Sequence, residues 1–396
     1  MGCKVVLGEI CSFSRGASVP RARMLDQGDF LYIHYGDLYK GFDVRIDVDN
    51  PQKPIPYIAG SEPIRESQLL CDQDIVYVLT SETVEDLGHA FLFNNPKELP
   101  AVAGTETTIV RVNRPDLVLP SYLNWLFQSA RFKKLLRQYV KGMKVFRVHP
   151  DDLARIEIEI PSIDDQRRIV SILDATFERP LINNRINGYL EEQCEAVANH
   201  EKGFAVELST LCGLVKEKAD YNEADFDTYV STESLLPGKK GRQAPSSLPQ
   251  TGKVTVYKAG DILVSNIRPY FKKIWYADRT GTCSGDVLVF RAKQPEQSGY
   301  LYSCMRSDAF FDYVMKGAKG TKMPRGDKKQ MLTYKVASNP SGATVDFIES
   351  ALSQASSSSK ENHRLAALRD NLLPKLMSGE IDVSKVDLKQ LNSHLS

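Results

Sequence analysis

The sequence of this 396-residue chain predicts an α+β protein in which one globular domain occurs twice, each copy followed by a long helix. The first observation is an internal repeat, because SARFKKLLRQYVKGMKVFR, from Ser129, returns 178 positions later as SDAFFDYVMKGAKGTKMPR, from Ser307. The second is an apolar stripe of helical spacing after each copy. The matched positions are Ser129 and Ser307, Phe132 and Phe310, Gly142 and Gly320, Lys144 and Lys322, and Arg147 and Arg325.

Each copy begins with short β-rich runs and continues with a helix. The runs DFLYIHYGDLY, DIVYVLT and TTIVRV in the first copy, and VTVY, DILVSNI and DVLVF in the second, are rich in residues that favour strands. In the first copy, Tyr122, Leu123, Leu126 and Phe127 fall on one helical face. A basic loop containing glycine and a final strand complete a domain of about 150 residues.

The two helical regions carry narrow apolar seams, which most simply pack against each other as an antiparallel coiled coil. The first seam is Ile169, Leu173, Phe177, Leu181, Ile186, Leu190, Cys194 and Val197, and the second is Val345, Ile348, Leu352, Ala355, Ser359, Asn362, Ala366, Arg369, Leu373 and Leu376. Pro180 and Pro374 should bend these helices or end a turn. The alternative is two independent helices, each packed on a globular part.

These patterns predict two tandem domains related by a pseudo-two-fold repeat and separated by a pair of long antiparallel helices. The predicted domains are residues 1–161 and 203–340, the helical regions are 162–202 and 341–379, and a tail covers 380–396.

Positive charge is concentrated in one part of the chain. The whole sequence has 51 basic and 50 acidic residues, but residues 203–340 have 21 and 14. Within them, KGAKGTKMPRGDKK, from Lys316 to Lys329, holds six positive charges and one negative charge. Local basicity of this kind favours a polyanionic partner, although most charge runs are solvated surface.

Several basic, glycine-punctuated loops predict a nucleic-acid face, because lysine and arginine bind phosphates and reach base edges. The candidate DNA-binding residues of the first copy are Lys133, Lys134, Arg137, Lys141, Lys144 and Arg147. Those of the second copy are Lys239, Lys240, Arg242, Asn266, Arg268, Tyr270, Lys272, Lys273, Lys316, Lys319, Lys322, Arg325, Lys328 and Lys329.

Patterns for catalysis, metal binding and membrane insertion are weak. We find no G-x-x-x-x-G-K-[ST] phosphate loop, no G-x-S-x-G elbow and no Pro-Pro-aromatic run for amino-methylation. A nuclease motif on Pro150, Asp151 and Glu157 lacks its lysine. Seven scattered cysteines without a C-x-x-C pair fit reduced thiols, and MGCKVVLGEI is a poor signal peptide. We therefore expect a cytoplasmic protein without catalytic residues, bound metal or membrane segment.

Four stretches resemble the DNA-specificity (S) subunits of type I restriction-modification systems. The opening KVVLGEICSFSRG with YIHYGDLY is similar to the start of a target-recognition domain, and GTKMPRG to that family's recurrent turn. IPSIDDQRRIVSILDATFE with NNRINGYLEE is similar to its central helix, and LRDNLLPKLMSGEI to its C-terminal helix end.

The resemblance implies a non-catalytic subunit that reads a bipartite double-stranded DNA target in the major groove, one half-site per domain. The helical regions would dock two methyltransferase (M) subunits and act as a ruler, since a helix of about 35 residues spans roughly 50 Å, or on the order of 15 base pairs. Restriction/translocase (R) subunits would join that core. No cofactor is expected on this chain; S-adenosylmethionine, ATP and Mg are expected on the partner subunits.

Two alternatives remain open from the sequence. The chain could be the specificity subunit of a fused-nuclease bipartite system, which gene neighbours would reveal. It could instead be a coiled-coil protein-interaction scaffold that does not bind DNA, which a salt titration would reveal.

Overall fold

The computed structural model describes residues 2–39, 41–84 and 87–386. By packing, the chain forms two compact units. Unit 1 is Met1–Arg179 with Arg364–Ser396, and unit 2 is Pro180–His363. Each unit therefore contains one copy of the repeat and a part of each long helix.

The elements follow the predicted order of strands, helix, basic loop and final strand in each copy. In the first copy the strands are β1 Cys3–Val6, β2 Cys11–Arg15, β3 Phe30–Ile33, β4 Arg45–Asp47, β5 Tyr57–Ile58, β6 Ile75–Val78, β7 Thr80–Ser81, β8 His89–Asn94, β9 Ala101–Ala103, β10 Thr107–Val112, β11 Phe146–Arg147 and β12 Glu157–Ile160. Its helices are α1 Leu7–Ile10, α2 Tyr35–Leu38, α3 Pro120–Gln128, α4 Ala130–Leu136 and α5 Pro150–Ala154, followed by the long α6 Ile163–His200.

The second copy has the same plan with fewer strands. Its strands are β13 Ala205–Glu207, β14 Cys212–Leu214, β15 Lys218–Asp220, β16 Lys253–Tyr257, β17 Ile262–Ser265, β18 Ile274–Tyr276, β19 Gly281–Cys283, β20 Val287–Ala292 and β21 Lys335–Ala337. Its helices are α7 Leu208–Leu211, α8 Ser298–Arg306, α9 Asp308–Lys316 and α10 Lys328–Leu332, followed by the long α11 Gly342–Ser378.

Unit 1 is built on a five-stranded sheet in the order β2-β10-β6-β8-β4, antiparallel except for the β4–β8 pair. A three-stranded sheet, β5-β3-β9, lies on the same core, where Ile33, Val76, Val78 and Phe93 are buried together. Strand β6 reads IVYV and is buried at every position, which explains its continuous apolar run.

Unit 2 has a four-stranded antiparallel sheet, β14-β20-β17-β18, and a three-stranded one, β15-β16-β19. Its main core joins the sheet to α8 and α9 through Phe290, Leu301 and Phe310. Residues of α6 and α11, including Cys194 and Ile348, are buried in that same core. The long helices are therefore part of this unit's packing.

The repeat is visible in side-chain detail. Ser129 Oγ accepts the Phe132 N–H at 3.2 Å, and Ser307 Oγ accepts the Phe310 N–H at 3.2 Å, so each serine caps the equivalent helix, α4 or α9. A buried aspartate before the central strand also recurs with its arginine partner: Asp74 binds Arg111, and Asp261 binds Arg291, through two hydrogen bonds each. The sequence repeat is therefore also a structural repeat.

Within unit 2, α6 and α11 run antiparallel, as the seams predicted. Asn183 donates to Asn362 Oδ1 at 2.8 Å, and Asn187 donates to the Ala355 carbonyl at 3.2 Å, so partners fall in number along α11 as residues rise along α6. The first seam was wrong at Ile186, which is 40% exposed. Asparagines occupy that part of the contact because they bond to the polar positions of the second seam.

One further detail differs from the expectations. The run DFLYIHYGDLY is a strand only at β3; it turns into the short helix α2, which His34 caps by accepting the Gly36 N–H at 3.1 Å. Helix α6 continues through Pro180 and α11 through Pro374. Among the described residues, we find no helix that is long and apolar enough to span a membrane.

Candidate nucleic-acid interface

The basic loop of the second copy contains a closed hairpin from Lys319 to Arg325, called the second hairpin below. The Lys319 N–H donates to the Arg325 carbonyl at 2.9 Å, and the Arg325 N–H donates back to the Lys319 carbonyl at 2.9 Å. Gly320 follows the first closing residue with φ of +103°, a conformation that glycine adopts without strain. The loop therefore has a fixed backbone shape.

The first copy carries the matching hairpin from Lys141 to Arg147, called the first hairpin below. Its closing hydrogen bonds are 2.9 and 2.8 Å long, and Gly142 has φ of +117°. A Cβ on Gly142 would lie 2.0 Å from the Val145 carbonyl oxygen. The repeated glycine is thus explained by the same turn in both copies.

Each hairpin is anchored to its own domain. In the second, the Arg268 N–H donates to the Pro324 carbonyl at 2.8 Å, and the Gly326 N–H donates to the Asn266 carbonyl at 3.3 Å. In the first, β11 pairs with β7 in an antiparallel ladder. A short helix follows each hairpin. His149 caps the N-terminus of α5, and Asp327 caps that of α10. Backbone hydrogen bonds from Gln330 and Lys329 lower the pKa of Asp327, which keeps this cap ionised.

The cations around the second hairpin are exposed: Lys316, Lys319, Lys322, Arg325, Lys328 and Lys329. Arg325 lies 3.2 Å from Asp286, and Lys319 lies 4.0 Å from Asp327. Within the described parts of the chain, no carboxylate oxygen comes within 4.0 Å of the ammonium groups of the other four lysines. Surface pairs of this kind contribute at most about 1 kcal/mol, so this positive charge is open to an anionic partner.

The cations around the first hairpin are partly used inside the domain. Lys141 pairs with Asp152 at 2.7 Å, and Arg147 lies 3.4 Å from Glu106. The hydrogen bond from Lys141 lowers the pKa of Asp152. Lys144 is exposed at the tip, between Met143, which is 95% exposed, and Val145.

The three remaining candidates of the first copy lie just before this hairpin, on α4 or directly after it. Lys134 and Arg137 are exposed. Lys133 is half-buried, and its pKa is lowered by burial and by the nearby positive charge of Arg137. Lys133 is therefore less available to a partner than the other two.

Two candidates of the second copy are held in an internal charge network. Lys239 lies 3.1 Å from Glu195 and 3.0 Å from Asp308, and Lys272 lies 3.0 Å from Asp308. Arg306, a buried side chain, donates to Glu195 at 2.6 Å. The two lysines lower the pKa of Asp308, which favours its charged form. These lysines therefore connect loops to α6 and α9.

Three other candidates also make internal contacts. The Arg242 guanidinium lies 5.1 Å from the centre of the Trp275 ring, and its pKa is lowered by burial and then by Arg279. Lys273 donates to the Thr232 carbonyl at 2.7 Å. Asn266 is buried. In contrast, Lys240, Arg268 and Tyr270 are exposed.

Sequence reasoning did not single out Phe271, Glu195 or Arg306. Phe271 follows Tyr270 and is 39% exposed. The segment SNIRPYFKKIW already placed it among cations, so a signal existed. Glu195 and Arg306 lie 111 positions apart, and only the fold brings them together. In the described portion of the chain, no cluster of three or more His, Cys, Asp or Glu residues could hold a metal ion.

Comparisons with known proteins agree on one family. The family model described as "Type I restriction modification DNA specificity domain" matches residues 4–192. The Type I restriction enzyme EcoDI specificity subunit of Escherichia coli is 22% identical over 323 residues, which cover 68% of this chain and 72% of that protein.

Solved structures with the same fold include the type I restriction-modification S subunit from M. genitalium. It has a TM-score of 0.55 and 13% identity, and the match covers 95% of this chain and 96% of the other. The HsdS subunit from Thermoanaerobacter tengcongensis matches with a TM-score of 0.38 and 15% identity over 96% and 97% of the two chains.

Proposed function

We propose that this chain, a member of the family of type I restriction-modification DNA-specificity subunits, reads double-stranded DNA through the two hairpins. Each hairpin would contact one half of a split target. The chain would supply recognition, and its partners would supply the chemistry.

One observation carries this proposal: the same closed, glycine-turned basic hairpin is present in both copies of the repeat. DNA-binding dimers use two equal modules to read two half-sites, and a tandem repeat gives one chain the same two modules. Closed backbones present the tip side chains in a fixed geometry, while the flanking lysines suit phosphate contacts. The tips differ in sequence, with MKVF after Gly142 and TKMP after Gly320, so the two half-sites should differ.

The long helices are the proposed docking sites for two methyltransferase subunits. On α6 in unit 2, Ile182, Ile186 and Tyr189 are exposed at spacings of four and three, which places them on one face of the helix. Apolar side chains in such a row are typical of a protein interface. S-adenosylmethionine, ATP and Mg belong, in this proposal, to the methyltransferase and restriction/translocase subunits.

The test uses the chain assembled with its methyltransferase. Methylated adenines are mapped in DNA from cells that express both, and the mapped target is then used in binding assays at several salt concentrations. A split motif, with affinity that falls steeply as salt rises, is the expected result. Affinity that is independent of both sequence and salt would instead support a protein-interaction scaffold. Gene neighbours separate a type I system from a fused-nuclease system.

A further inference from the structure

A tight turn next to the second hairpin carries two exposed aromatic rings. The turn connects β17 to β18 and runs from Arg268 to Lys272, with a one-turn 3-10 helix at Pro269–Phe271. Tyr270 is 48% exposed and Phe271 39%, and their ring centres are 4.6 Å apart. Together they form one apolar surface, called the aromatic turn below.

The aromatic turn is held in one backbone conformation. Arg268 and Lys272 have φ of +50° and +51°, in the left-handed region that side chains other than glycine rarely adopt. The Gly238 N–H donates to the Phe271 carbonyl at 2.8 Å, and the Lys239 N–H donates to the Lys272 carbonyl at 2.9 Å. Non-glycine residues keep this conformation only where the surroundings enforce it, and such places cluster at functional sites.

Ion pairs add a second constraint on the same turn. The Lys272 ammonium binds Asp308 on α9, and that carboxylate also binds Lys239. Glu195 on α6 holds Lys239 from the other side at 3.1 Å. The rings are therefore presented to solvent on a rigid support.

We propose that the aromatic turn stacks on bases of the bound DNA, at a step that opens when the duplex docks on the second hairpin. The inference rests on the proposed function, because it needs DNA on the hairpin. Aromatic side chains stack on the faces of unstacked bases, and apolar side chains can insert between base pairs. The hydrogen bond from Arg268 to Pro324 places the turn directly beside the hairpin.

Charge favours DNA over a protein as the occupant. The turn begins with exposed Arg268 and adjoins Arg325 through the hairpin. Cations beside an exposed aromatic pair suit a base stack flanked by phosphates. The connection between β6 and β8 in the first copy includes SETVEDLG, Ser81 to Gly88, which has no aromatic residue. The effect should therefore belong to one half-site only.

The experiment compares Tyr270→Ala/Phe271→Ala with the wild-type chain, both assembled with methyltransferase. The probes are fluorescent duplexes carrying the mapped target, either fully matched or with one mismatch at a time along each half-site. Because one base–aromatic stack is lost, the double variant should bind the matched duplex roughly tenfold more weakly, with an unchanged salt slope. The wild type should prefer a mismatch at one step, where unstacking is easier, and the double variant should not.

Tyr270→Phe keeps the ring and should keep the affinity. Phe226→Ala removes another exposed ring of unit 2 and should also change nothing. Equal affinity of the double variant and the wild type for the matched target, in properly folded protein, overturns the proposal. A second outcome also overturns it: the double variant assembles more weakly with the methyltransferase, but the complex that does form binds DNA normally. The rings would then bind a protein. If the wild type itself shows no sequence-dependent DNA affinity, the proposed function fails first.

Discussion

The substitution Lys322→Ala tests the second hairpin as a phosphate-binding element. Lys322 is exposed at the hairpin tip, and no carboxylate among the described residues lies within 4.0 Å of its ammonium group. Removing it should change the free energy of unfolding by less than about 0.5 kcal/mol, as for other exposed side chains. Any loss of DNA affinity can then be assigned to the lost contact.

The magnitude follows from counterion release. One lost phosphate contact reduces the slope of log affinity against log salt by about 0.9. Between about 50 mM and about 200 mM salt, the affinity deficit of the variant should therefore shrink about 3.5-fold. A Lys322→Ala/Lys328→Ala variant should lose about 1.8 from the slope, since both lysines are exposed and lack a carboxylate partner.

Fluorescence anisotropy with the assembled complex, repeated at several salt concentrations, measures both slopes. Lys335→Ala is the matched control, because Lys335 is an exposed lysine of unit 2 on β21, outside the hairpin. Parallel lines for Lys322→Ala and the wild type would refute the phosphate assignment. A deficit at one target sequence only, without a change in slope, would mean that Lys322 contacts a base instead.

Three further predictions concern the charge network around Lys239, the first hairpin and helix α6. Glu195→Gln removes the carboxylate that Lys239 and Arg306 share and leaves them only Asp308 and Glu191, so urea denaturation should show a loss of about 2 kcal/mol, while the exposed neighbour Glu192→Gln should change little. Gly142→Ala forces a Cβ into the hairpin's own carbonyl, so competition binding should show weaker affinity for the first half-site alone; equal loss at both half-sites would contradict this. Gly188→Ala, in α6, adds a Cβ that has no described atom within 4 Å outside its own stretch of helix, so it should stabilise the protein by about 0.5–1 kcal/mol in the same denaturation assay; a lower midpoint would show a hidden contact.

Local chemistry made the repeat and its glycine-bearing basic loops predictable. A serine cap, a glycine at a positive φ and a run of lysines act over a few residues, so their pattern survives in the sequence. Gly142 and Gly320 were matched by position alone, and both take the left-handed turn. The candidate residues within the hairpins stay predictions as DNA contacts, and their exposure is what makes them testable.

The remaining features depend on contacts between distant segments. Periodicity placed Ile186 in the helix seam, but Asn183 and Asn187 lie there because their amides bond across to α11. The local sequence likewise placed Lys239 among the candidate DNA-binding residues, although its ammonium group pairs with Glu195 on α6. No local signal distinguishes a lysine that binds a partner from one that binds its own fold.

The closing hydrogen bonds make the backbone shape of the two hairpins independent of the side chains at their tips. Backbone atoms of the end residues, Lys141 with Arg147 and Lys319 with Arg325, hold the loop shut, so the side chains between them take no part in that closure. Residues at the tip can therefore be substituted during evolution while the hairpin backbone keeps its conformation. A library that randomises Thr321 alone is the smallest experiment that could change which DNA sequence the second hairpin prefers.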